Sequence, residues 1–238
     1  MKAIILAAGR GSRMKSLTSS QPKCLVKLRD KALLDWQLNA LRAARVSDIS
    51  IVTGYKRELI SGRGLVEFHN TRWHETNMVS SLACAESWLL NEPCIVSYSD
   101  IFYSSDAINS LVTCPEPLAI TYDPEWVELW TKRFGDPLLD AETFRIKPDN
   151  TLAEIGNKPK RLDEVQGQYM GLLKFTPHAW AELSRIRAAK TPQLRDKMHM
   201  TETLQNIIQA GRIDITALPY SGEWGEFDSA EDLSVFNK

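Results

Sequence analysis

Residues 6–14 read Leu-Ala-Ala-Gly-Arg-Gly-Ser-Arg-Met and follow directly on the apolar run Lys2–Leu6. A short apolar run that ends in small residues is typical of a buried strand that leads into a loop. Small residues let the backbone approach a ligand closely, and the exposed N–H groups of such a loop bind phosphate oxygens. This stretch therefore predicts an α/β fold whose first strand ends at a phosphate-binding loop.

Three kinds of phosphate loop are candidates for this stretch. The dinucleotide fingerprint G-x-G-x-x-G fails because Met14 stands at the third glycine position. The P-loop pattern fails because no lysine-hydroxyl pair directly follows a second glycine at the required spacing. The remaining interpretation is a loop in which Arg13 and Lys23 neutralise a nucleoside triphosphate, which carries roughly twice the charge of a dinucleotide pyrophosphate. A glycine turn with solvated basic residues is the alternative.

Beyond the loop, apolar runs of strand length alternate with helical periodicity as far as Asp123. This alternation predicts a mostly parallel sheet with right-handed crossovers. The predicted strands are Ile49–Thr53, Leu65–His69, Cys94–Ser97 and Leu118–Tyr122, and the predicted helices are Leu33–Ala44, Ser80–Leu90 and Ala107–Val112.

The pattern changes after Asp123, where residues 126–137 predict an irregular stretch. Neither a linker nor a repeat interrupts the chain, so we predict one domain, 1–238, with a nucleotide-binding half, 1–122, and a half that binds the acceptor and completes the metal site, 123–238. The later strands are predicted at Phe144–Ile146, Leu152–Ile155, Gln168–Phe175 and Ile213–Leu218, and the later helices at His178–Ala189, Met200–Ala210 (closed by Gly211) and Ser229–Phe236 with Ser229 as N-cap.

The charge balance excludes several functional classes. Lys and Arg number 29 against 30 Asp and Glu, and the net charge of −1 argues against bulk electrostatic binding of nucleic acid or an anionic membrane. The basic residues are nevertheless concentrated at the start, because residues 1–29 contain seven Lys or Arg and no acid before Asp30. We find neither a secretory signal nor an apolar stretch of membrane-spanning length, and the four cysteines form no C-x-x-C pair. These observations predict a cytoplasmic protein with reduced thiols, and a homodimer is compatible with them.

Carboxylates are the candidate metal ligands, because the four histidines also lack metal-ligand spacing. Asp100 comes just after a predicted apolar strand, where α/β sheets open their ligand crevice. Asp228 is a second candidate, and Glu226 lies on the same face if residues 224–228 are extended. For both aspartates, capping of a helix or turn is the alternative. Oxygen ligands of this kind favour Mg²⁺.

Several motifs together carry a resemblance to a known family. Residues 6–14, followed by Gln21-Pro22-Lys23, closely resemble the signature of the nucleotidyltransferase superfamily, whose members transfer NMP onto phosphorylated small molecules. Ser99-Asp100 resembles the aspartate that closes the family's fourth strand, and residues 224–228 resemble its C-terminal magnesium motif. The resemblance covers nearly the whole chain. It implies a Rossmann-like (GT-A-type) mixed, mostly parallel sheet flanked by helices, with Asp100 and Asp228 binding Mg²⁺ together and Glu226 as a third ligand.

Residues 75–82 (ETNMVSSL) resemble the N-N-x-x-S-L stretch of cytidylyltransferases that act on phosphocholine and 2-aminoethylphosphonate, although Met78 replaces the second asparagine. A side-chain amide with neighbouring hydroxyls can read a pyrimidine edge, whereas the alternative is an N-cap for the following helix. The predicted nucleotide-binding residues are therefore Leu6, Ala7, Ala8, Gly9, Gly11, Ser12, Arg13, Lys23, Asn77, Ser80, Ser81 and Asp100.

The acceptor region of the same subfamily is matched by aromatic and charged residues in the second half of the chain. Aromatic faces with a carboxylate suit an ammonium group, although the tryptophans could instead pack in the core. The predicted acceptor-binding residues are Trp126, Trp130, Arg133, Asp140, Glu142 and Tyr169. The resemblance also assigns the acceptor phosphate to Lys158, or to Lys160, because Asn157 stands where the family's lysine is expected.

The sequence thus predicts an Mg²⁺-dependent cytidylyltransferase that joins CTP, or another NTP, to a small phospho- or phosphono-amine. The acceptor phosphate is already anionic, so in-line attack on the α-phosphorus needs positioning and charge neutralisation by Arg13, Lys23 and Lys158 rather than a covalent nucleophile. The resemblance implies that such products feed the decoration of cell-surface glycans or lipids. The alternatives are a sugar-1-phosphate nucleotidylyltransferase that uses UTP, dTTP or GTP, and a non-catalytic nucleotide-binding module, which predicts loss of Asp100 or Asp228.

Overall fold

Strands and helices alternate along most of residues 1–236, the part of the chain described by the computed structural model. The strands are β1 (Lys2–Ala7), β2 (Lys27–Leu28), β3 (Lys31–Ala32), β4 (Ile49–Thr53), β5 (Val66–His69), β6 (Cys94–Tyr98), β7 (Ile101–Tyr103), β8 (Leu118–Asp123), β9 (Phe144–Ile146), β10 (Leu152–Ile155), β11 (Gln168–Phe175), β12 (Thr216–Pro219) and β13 (Trp224–Glu226). The α-helices are α1 (Leu33–Ala43), α2 (Met78–Ala83), α3 (Glu86–Leu89), α4 (Ser105–Thr113), α5 (Trp126–Phe134), α6 (Pro177–Ala188), α7 (Pro192–Asp196), α8 (Met200–Ala210) and α9 (Asp232–Phe236).

A seven-stranded sheet forms the centre of the molecule, in the order β12-β8-β11-β6-β1-β4-β5. Strand β11 runs antiparallel to β6 and β8, and the other neighbouring strands in this sheet are parallel. The central strands are apolar and inaccessible to solvent, as at Ile4, Ile5, Ile95 and Val96. A parallel sheet covered by helices on both faces requires such strands. The predicted single-domain fold with a mixed, mostly parallel sheet is confirmed.

The predicted irregular stretch after Asp123 is wrong, because Trp126–Phe134 forms helix α5 and ends at Gly135, where φ is +78°. Trp126 and Trp130 are four residues apart and therefore face the same side of the helix. Both are buried. The burial of these two rings stabilises the helix, although Gly135 and Pro137 just after it are typical of irregular structure.

Three further boundaries differ from prediction. The helix expected over 80–90 begins at Met78 and is interrupted at Ala85 (φ −94°, ψ 19°). The last helix begins at Asp232, because the Asp232 carboxylate accepts the N–H groups of Asp228 and Ser229 and holds the preceding residues in a turn. The strand expected at 213–218 is displaced to β12. At the end of α8, Gly211 has the left-handed φ of +61° that a helix-terminating glycine adopts.

Two strand pairings bring the loop after β1, the loop after β6 and residues 224–228 close together. Strands β1 and β6 are parallel neighbours with Leu6 opposite Tyr98, so the loops at their carboxyl ends are adjacent. Strand β13 pairs antiparallel with β7, and Glu226 lies opposite Ile101. The far end of the chain therefore returns to the loop that carries Asp100.

Within residues 1–236, every helix is too short or too polar to cross a membrane. The four cysteines are free thiols.

Candidate active site

A cleft of about 360 Å³ opens at the carboxyl ends of β1 and β6, where parallel α/β sheets bind their ligands. One wall is the loop after β1, and the other is formed by the residues around the start of α2. Of the predicted nucleotide-binding residues, Leu6, Ala8, Gly9, Gly11, Ser12, Arg13, Lys23, Asn77, Ser81 and Asp100 line this cleft.

The two remaining predicted nucleotide contacts do not line the cleft. Ala7 is buried within β1. The hydroxyl of Ser80 donates to the carbonyl oxygen of Arg195 (3.3 Å), because Ser80 faces α7 while the next residue, Ser81, faces the cleft. The prediction of direct nucleotide contact by the Ser80 side chain is therefore corrected.

The loop after β1 is held open by glycine. No atom lies within 4 Å of a Cβ built at Gly9, so a phosphate can approach the backbone there. Gly11 has φ +68°, and a Cβ at this position would lie 2.9 Å from Cδ of Lys23. Its carbonyl oxygen accepts from the hydroxyl of Thr18 (2.9 Å), and the carbonyl oxygen of Ala8 accepts from the N–H of Tyr55 (2.9 Å). The loop is thus fixed from both sides before any ligand arrives.

Three carboxylates converge at the base of the cleft. One oxygen each of Asp100, Glu226 and Asp228 lies within 4.8 Å of the others. Nζ of the buried Lys23 lies 2.7 Å from Oδ2 of Asp100 and 3.0 Å from Oδ1 of Asp228. Burial alone would lower the pKa of Lys23, but the two aspartate charges raise this pKa above its usual range. Arg13 adds a second cation, with Nη2 2.7 Å from Oδ1 of Asp228.

Arg133 supports this carboxylate cluster from behind. Its side chain is fully buried, with Nε 2.8 Å from Oδ1 of Asp232 and Nη2 3.6 Å from Oδ2 of Asp228. The guanidinium lies over the ring of Trp130, 4.7 Å from its centroid. The prediction that Arg133 binds the acceptor is therefore wrong, because helix α5 turns this side chain toward α9 and the cluster rather than into the cleft.

The cluster has the chemistry of a divalent-cation site. Oδ1 of Asp100 is buried and has no hydrogen-bond partner among the described residues. Burial, followed by the charges of Asp228 and Asp100, raises the pKa of Glu226 well above its usual range. Three carboxylates that converge within 4.8 Å, one of them with an oxygen that lacks a hydrogen-bond partner, are hard oxygen ligands of the kind that fit Mg²⁺.

A second pocket of about 240 Å³ adjoins the first and shares Arg13, Met78 and Tyr98 with it. It contains three of the predicted acceptor-binding residues, Asp140, Glu142 and Tyr169, together with Glu226 and Asp228. Burial raises the pKa of both Asp140 and Glu142. The carboxylate cluster thus lies where the two pockets meet.

The other predicted acceptor contacts are displaced from this pocket. Trp126 is 2% exposed and donates from Nε1 to the carbonyl oxygen of Val165 (3.2 Å), while Trp130 is 0% exposed and stacks on Trp224. Neither ring presents a face to the cleft, because both lie on the core side of α5. Direct acceptor binding by Trp126 and Trp130 is therefore wrong.

Neither candidate phosphate lysine lines the two pockets. Nζ of Lys158 donates to the carbonyl oxygens of Leu138 (2.6 Å) and Leu139 (3.0 Å), just before Asp140. Lys160 is exposed, and its backbone N–H donates to Glu164. In this conformation Lys158 anchors the segment that carries Asp140.

Several residues that line the pockets were not among the predicted site residues, including Trp73 in the first pocket and Gln168, His199 and Thr201 in the second. Trp73, His199 and Thr201 lie outside the motifs described above, whereas Gln168 directly precedes the predicted Tyr169. Gly54 is a residue whose type points indirectly to Trp73. A Cβ at Gly54 would lie 2.5 Å from the carbonyl oxygen of Ala8 and 2.6 Å from Cβ of Trp73, so only glycine leaves room for the ring there. That glycine allows Trp73 to pack beside the loop.

Comparison with known proteins gives matches over the whole chain. The family model of the MobA-like NTP transferase domain matches residues 3–149. A CTP:phosphoglutamine cytidylyltransferase from Campylobacter jejuni is 36% identical, over 99% of this chain and 98% of the relative. A 2-aminoethylphosphonate cytidylyltransferase from Lancefieldella rimae is 34% identical over 44% of this chain and 45% of the relative. The solved structure of CTP:phosphocholine cytidylyltransferase from Streptococcus pneumoniae shares the fold, with a TM-score of 0.75 and 22% identity over 99% of this chain and 97% of that one.

Proposed function

The chain belongs to the MobA-like NTP transferase family, and from this premise we propose that it transfers CMP from CTP to a small phosphorylated amine with release of pyrophosphate. Family membership agrees with the nucleotidyltransferase resemblance of the loop after β1. The observation that carries the proposal is the junction of two pockets at one carboxylate cluster, Asp100, Glu226 and Asp228. A nucleotide on one side and an acceptor on the other would meet at that junction.

The reaction exchanges one phosphorus–oxygen bond for another. An anionic oxygen of the acceptor phosphate attacks the α-phosphorus of CTP, and the bond from this phosphorus to the bridging oxygen of the β-phosphate breaks. Pyrophosphate leaves with the electron pair of that bond. Because the attacking oxygen carries no proton near pH 7, the chain needs no general base.

Arg13 and Lys23 are the cations placed to stabilise the charge that develops on the phosphates. Arg13 lines both pockets, and Lys23 lies beside the loop glycines. In the absence of substrate their charges are held by Asp228 and Asp100. Phosphate oxygens that enter the cleft offer these cations a second set of anionic partners, which stabilises the transition state electrostatically.

Asp100, Asp228 and Glu226 are the residues that would hold Mg²⁺. When bound, this ion supplies Lewis-acid charge neutralisation at the reacting phosphates. The cation would then balance part of the carboxylate charge that Lys23 and Arg13 balance without it.

Two observations support CTP and an amine-bearing acceptor. The relative that matches over its full length is named for CTP and phosphoglutamine, and a partial relative is named for an aminophosphonate. The pocket beside the cluster carries the carboxylates of Asp140 and Glu142, which match an ammonium group. Phosphoglutamine is therefore the first acceptor to test.

Pyrophosphate release across a grid of substrates tests the proposal. CTP, UTP, GTP and dTTP are each combined with phosphoglutamine, phosphocholine, 2-aminoethylphosphonate and glucose 1-phosphate, with Mg²⁺ or with a chelator. We expect release with CTP and an amine-bearing acceptor only, and a CDP-linked product by mass spectrometry. Release with glucose 1-phosphate but with no amine would establish the sugar-1-phosphate alternative, whereas nucleotide binding without any release would indicate a non-catalytic module.

A further inference from the structure

Two distant segments of the chain are joined beside the active site. Residues 72–80 precede and begin helix α2, and residues 195–199 form the end of α7 and its connection to α8. The backbone N–H of Asn77 donates to the carbonyl oxygen of Asp196 (2.7 Å), and Nζ of Lys197 donates to that of Glu75 (2.9 Å). The first segment lines the nucleotide cleft, and the second leads into the wall of the acceptor pocket.

The side-chain amide of Asn77 adds two hydrogen bonds to the second segment. Its Nδ2 lies 2.8 Å from the carbonyl oxygen of Lys197 and 3.0 Å from Nε2 of His199. A carbonyl oxygen can only accept, so the NH₂ group, and not the amide oxygen, must face Lys197. The second hydrogen of the same group then points to His199, and Nε2 must accept it.

This contact selects one tautomer of the neutral His199 ring. A nitrogen that accepts a hydrogen bond carries no proton, so the neutral ring holds its proton on Nδ1. The ring lines the acceptor pocket, together with Gln168 and Thr201. The one N–H group that the neutral ring of His199 can offer to a ligand is therefore Nδ1–H.

The same pocket also contains anionic hydrogen-bond acceptors, the carboxylates of Asp140 and Glu142. Asp140 and Glu142 match an ammonium group, and Thr201 lies beside Glu142, with its hydroxyl 3.5 Å from Oε1. Because the acceptor phosphate must reach the α-phosphorus beside the carboxylate cluster, an acceptor that carries only an ammonium and a phosphate has its oxygen atoms at that cluster and none beside its ammonium group for Nδ1–H to reach. An acceptor with an additional carboxylate, as in an amino acid, has an oxygen to accept from it.

We propose that His199 is a specificity-determining residue for the acceptor, and that its Nδ1–H, held in place by Asn77, donates to a carboxylate that the acceptor carries beside its ammonium group. This inference rests on the proposed function and narrows the acceptor to phosphorylated amino acids. Asn77 is then a positioning residue for the acceptor side as well as a wall of the nucleotide cleft.

Steady-state kinetics of three variants test the proposal. His199→Phe removes the donor, His199→Gln restores a side-chain N–H, and His178→Phe repeats the first change at an exposed position on α6. With phosphoglutamine, His199→Phe should raise the acceptor KM about 10- to 100-fold, as expected for a lost hydrogen bond to a charged group. The KM for CTP should stay within about twofold, His199→Gln should recover part of the loss, and His178→Phe should match the wild type.

Two kinetic results would overturn the inference. An unchanged acceptor KM in His199→Phe would exclude the contact, and an equal rise in the KM values of CTP and acceptor would indicate a structural role only. Either result in an active enzyme leaves the proposed function intact. Inactivity of the wild type with every substrate pair would instead refute the proposed function and this inference with it.

The tautomer can be measured without turnover. In ¹⁵N-histidine-labelled protein near pH ~8, long-range ¹H–¹⁵N spectra report the protonated nitrogen of each of the four histidines, and His199→Gln identifies the signal. We expect the Nδ1–H form at His199 in the wild type and its loss in Asn77→Asp, where an accepting oxygen replaces the NH₂ group. An Nε2–H form in the wild type would contradict the proposal.

Discussion

The backbone N–H of Phe227 donates to the carbonyl oxygen of Asp100 across 3.0 Å. This bond continues the pairing of β13 with β7, and it places the residues on either side of Phe227, Glu226 and Asp228, next to Asp100. Three negative charges are thereby collected at one point by backbone pairing, and the cost of collecting them is offset by Lys23, Arg13 and Arg133.

Asp100→Asn should lower Mg²⁺-dependent turnover at least about 100-fold, because it removes a ligand charge while keeping the shape of the side chain. Lys23 keeps its contact with Asp228, so the fold should survive. Turnover is measured as pyrophosphate release over a range of Mg²⁺ concentrations. Asp106→Asn, the same change at an exposed site on α4, is the control and should have no effect. Wild-type turnover in Asp100→Asn would refute the metal assignment.

Lys23→Met should destabilise the metal-free protein by about 3–5 kcal/mol, because it removes the buried cation that contacts both Asp100 and Asp228. Mg²⁺ should restore part of this loss, since a divalent cation compensates the same charges. Denaturant unfolding with Mg²⁺ and with a chelator measures both effects, and the exposed Lys27→Met serves as the matched control. If Mg²⁺ stabilises neither the wild type nor the variant relative to the chelator, the cluster does not bind the ion.

Trp126→Phe should lower the free energy of unfolding by about 1–3 kcal/mol, because it leaves a small cavity and an unpartnered carbonyl oxygen at Val165. The KM for the acceptor should stay within about twofold of wild type, since the ring does not reach the pocket. Denaturant unfolding and steady-state kinetics on the same preparation separate the two effects. A large rise in acceptor KM at unchanged stability would return Trp126 to the acceptor site.

Acceptor binding should weaken as the pH falls, and the change should begin above pH 4.5, because burial raises the pKa of Asp140 and Glu142 above their ordinary values of 3.8 and 4.5. A raised pKa means that these groups lose their negative charge earlier on acidification, and an ammonium binds only the charged form. The acceptor KM is therefore measured between about pH 5 and 8. Glu142→Gln should raise the KM near neutral pH and flatten the profile. A profile of the same steepness in this variant would exclude Glu142 as the group that titrates.

Much of the nucleotide side could be predicted because its signals are local. The glycine spacing around Gly9 and Gly11, the apolar run of β1 and the position of Asp100 after β6 each depend on a few consecutive residues. Two groups of residues were predicted to meet the site from distant parts of the chain, and the structure places only one of these groups there. Glu226 and Asp228 meet Asp100 as expected, whereas Trp126, Trp130 and Arg133 lie behind the site instead of in it.

The failure at α5 has a physical cause. A tryptophan next to an arginine and acidic residues has the composition of an ammonium site and also of a buried helix face with an ion pair beneath it. Only the direction of the helix relative to the core distinguishes them, and that direction follows from packing against β13 and α9. His199 shows the reverse case, because an isolated histidine carries no signal until the chain brings Asn77 to its ring.

The order of residues along the chain is enough to predict the glycine loop after β1, the alternation that builds the mostly parallel sheet and the carboxylates that are available to a metal. Each of these follows from local conformational preference or from the chemistry of single side chains. Which aromatic and charged residues line the second pocket, and which lie in the core, follows from the way the helices pack on the sheet. The location of each side chain depends on long-range packing. A tryptophan on the helix face that meets the core stabilises the fold by its burial, whereas the same residue on the opposite face would be free to bind a ligand.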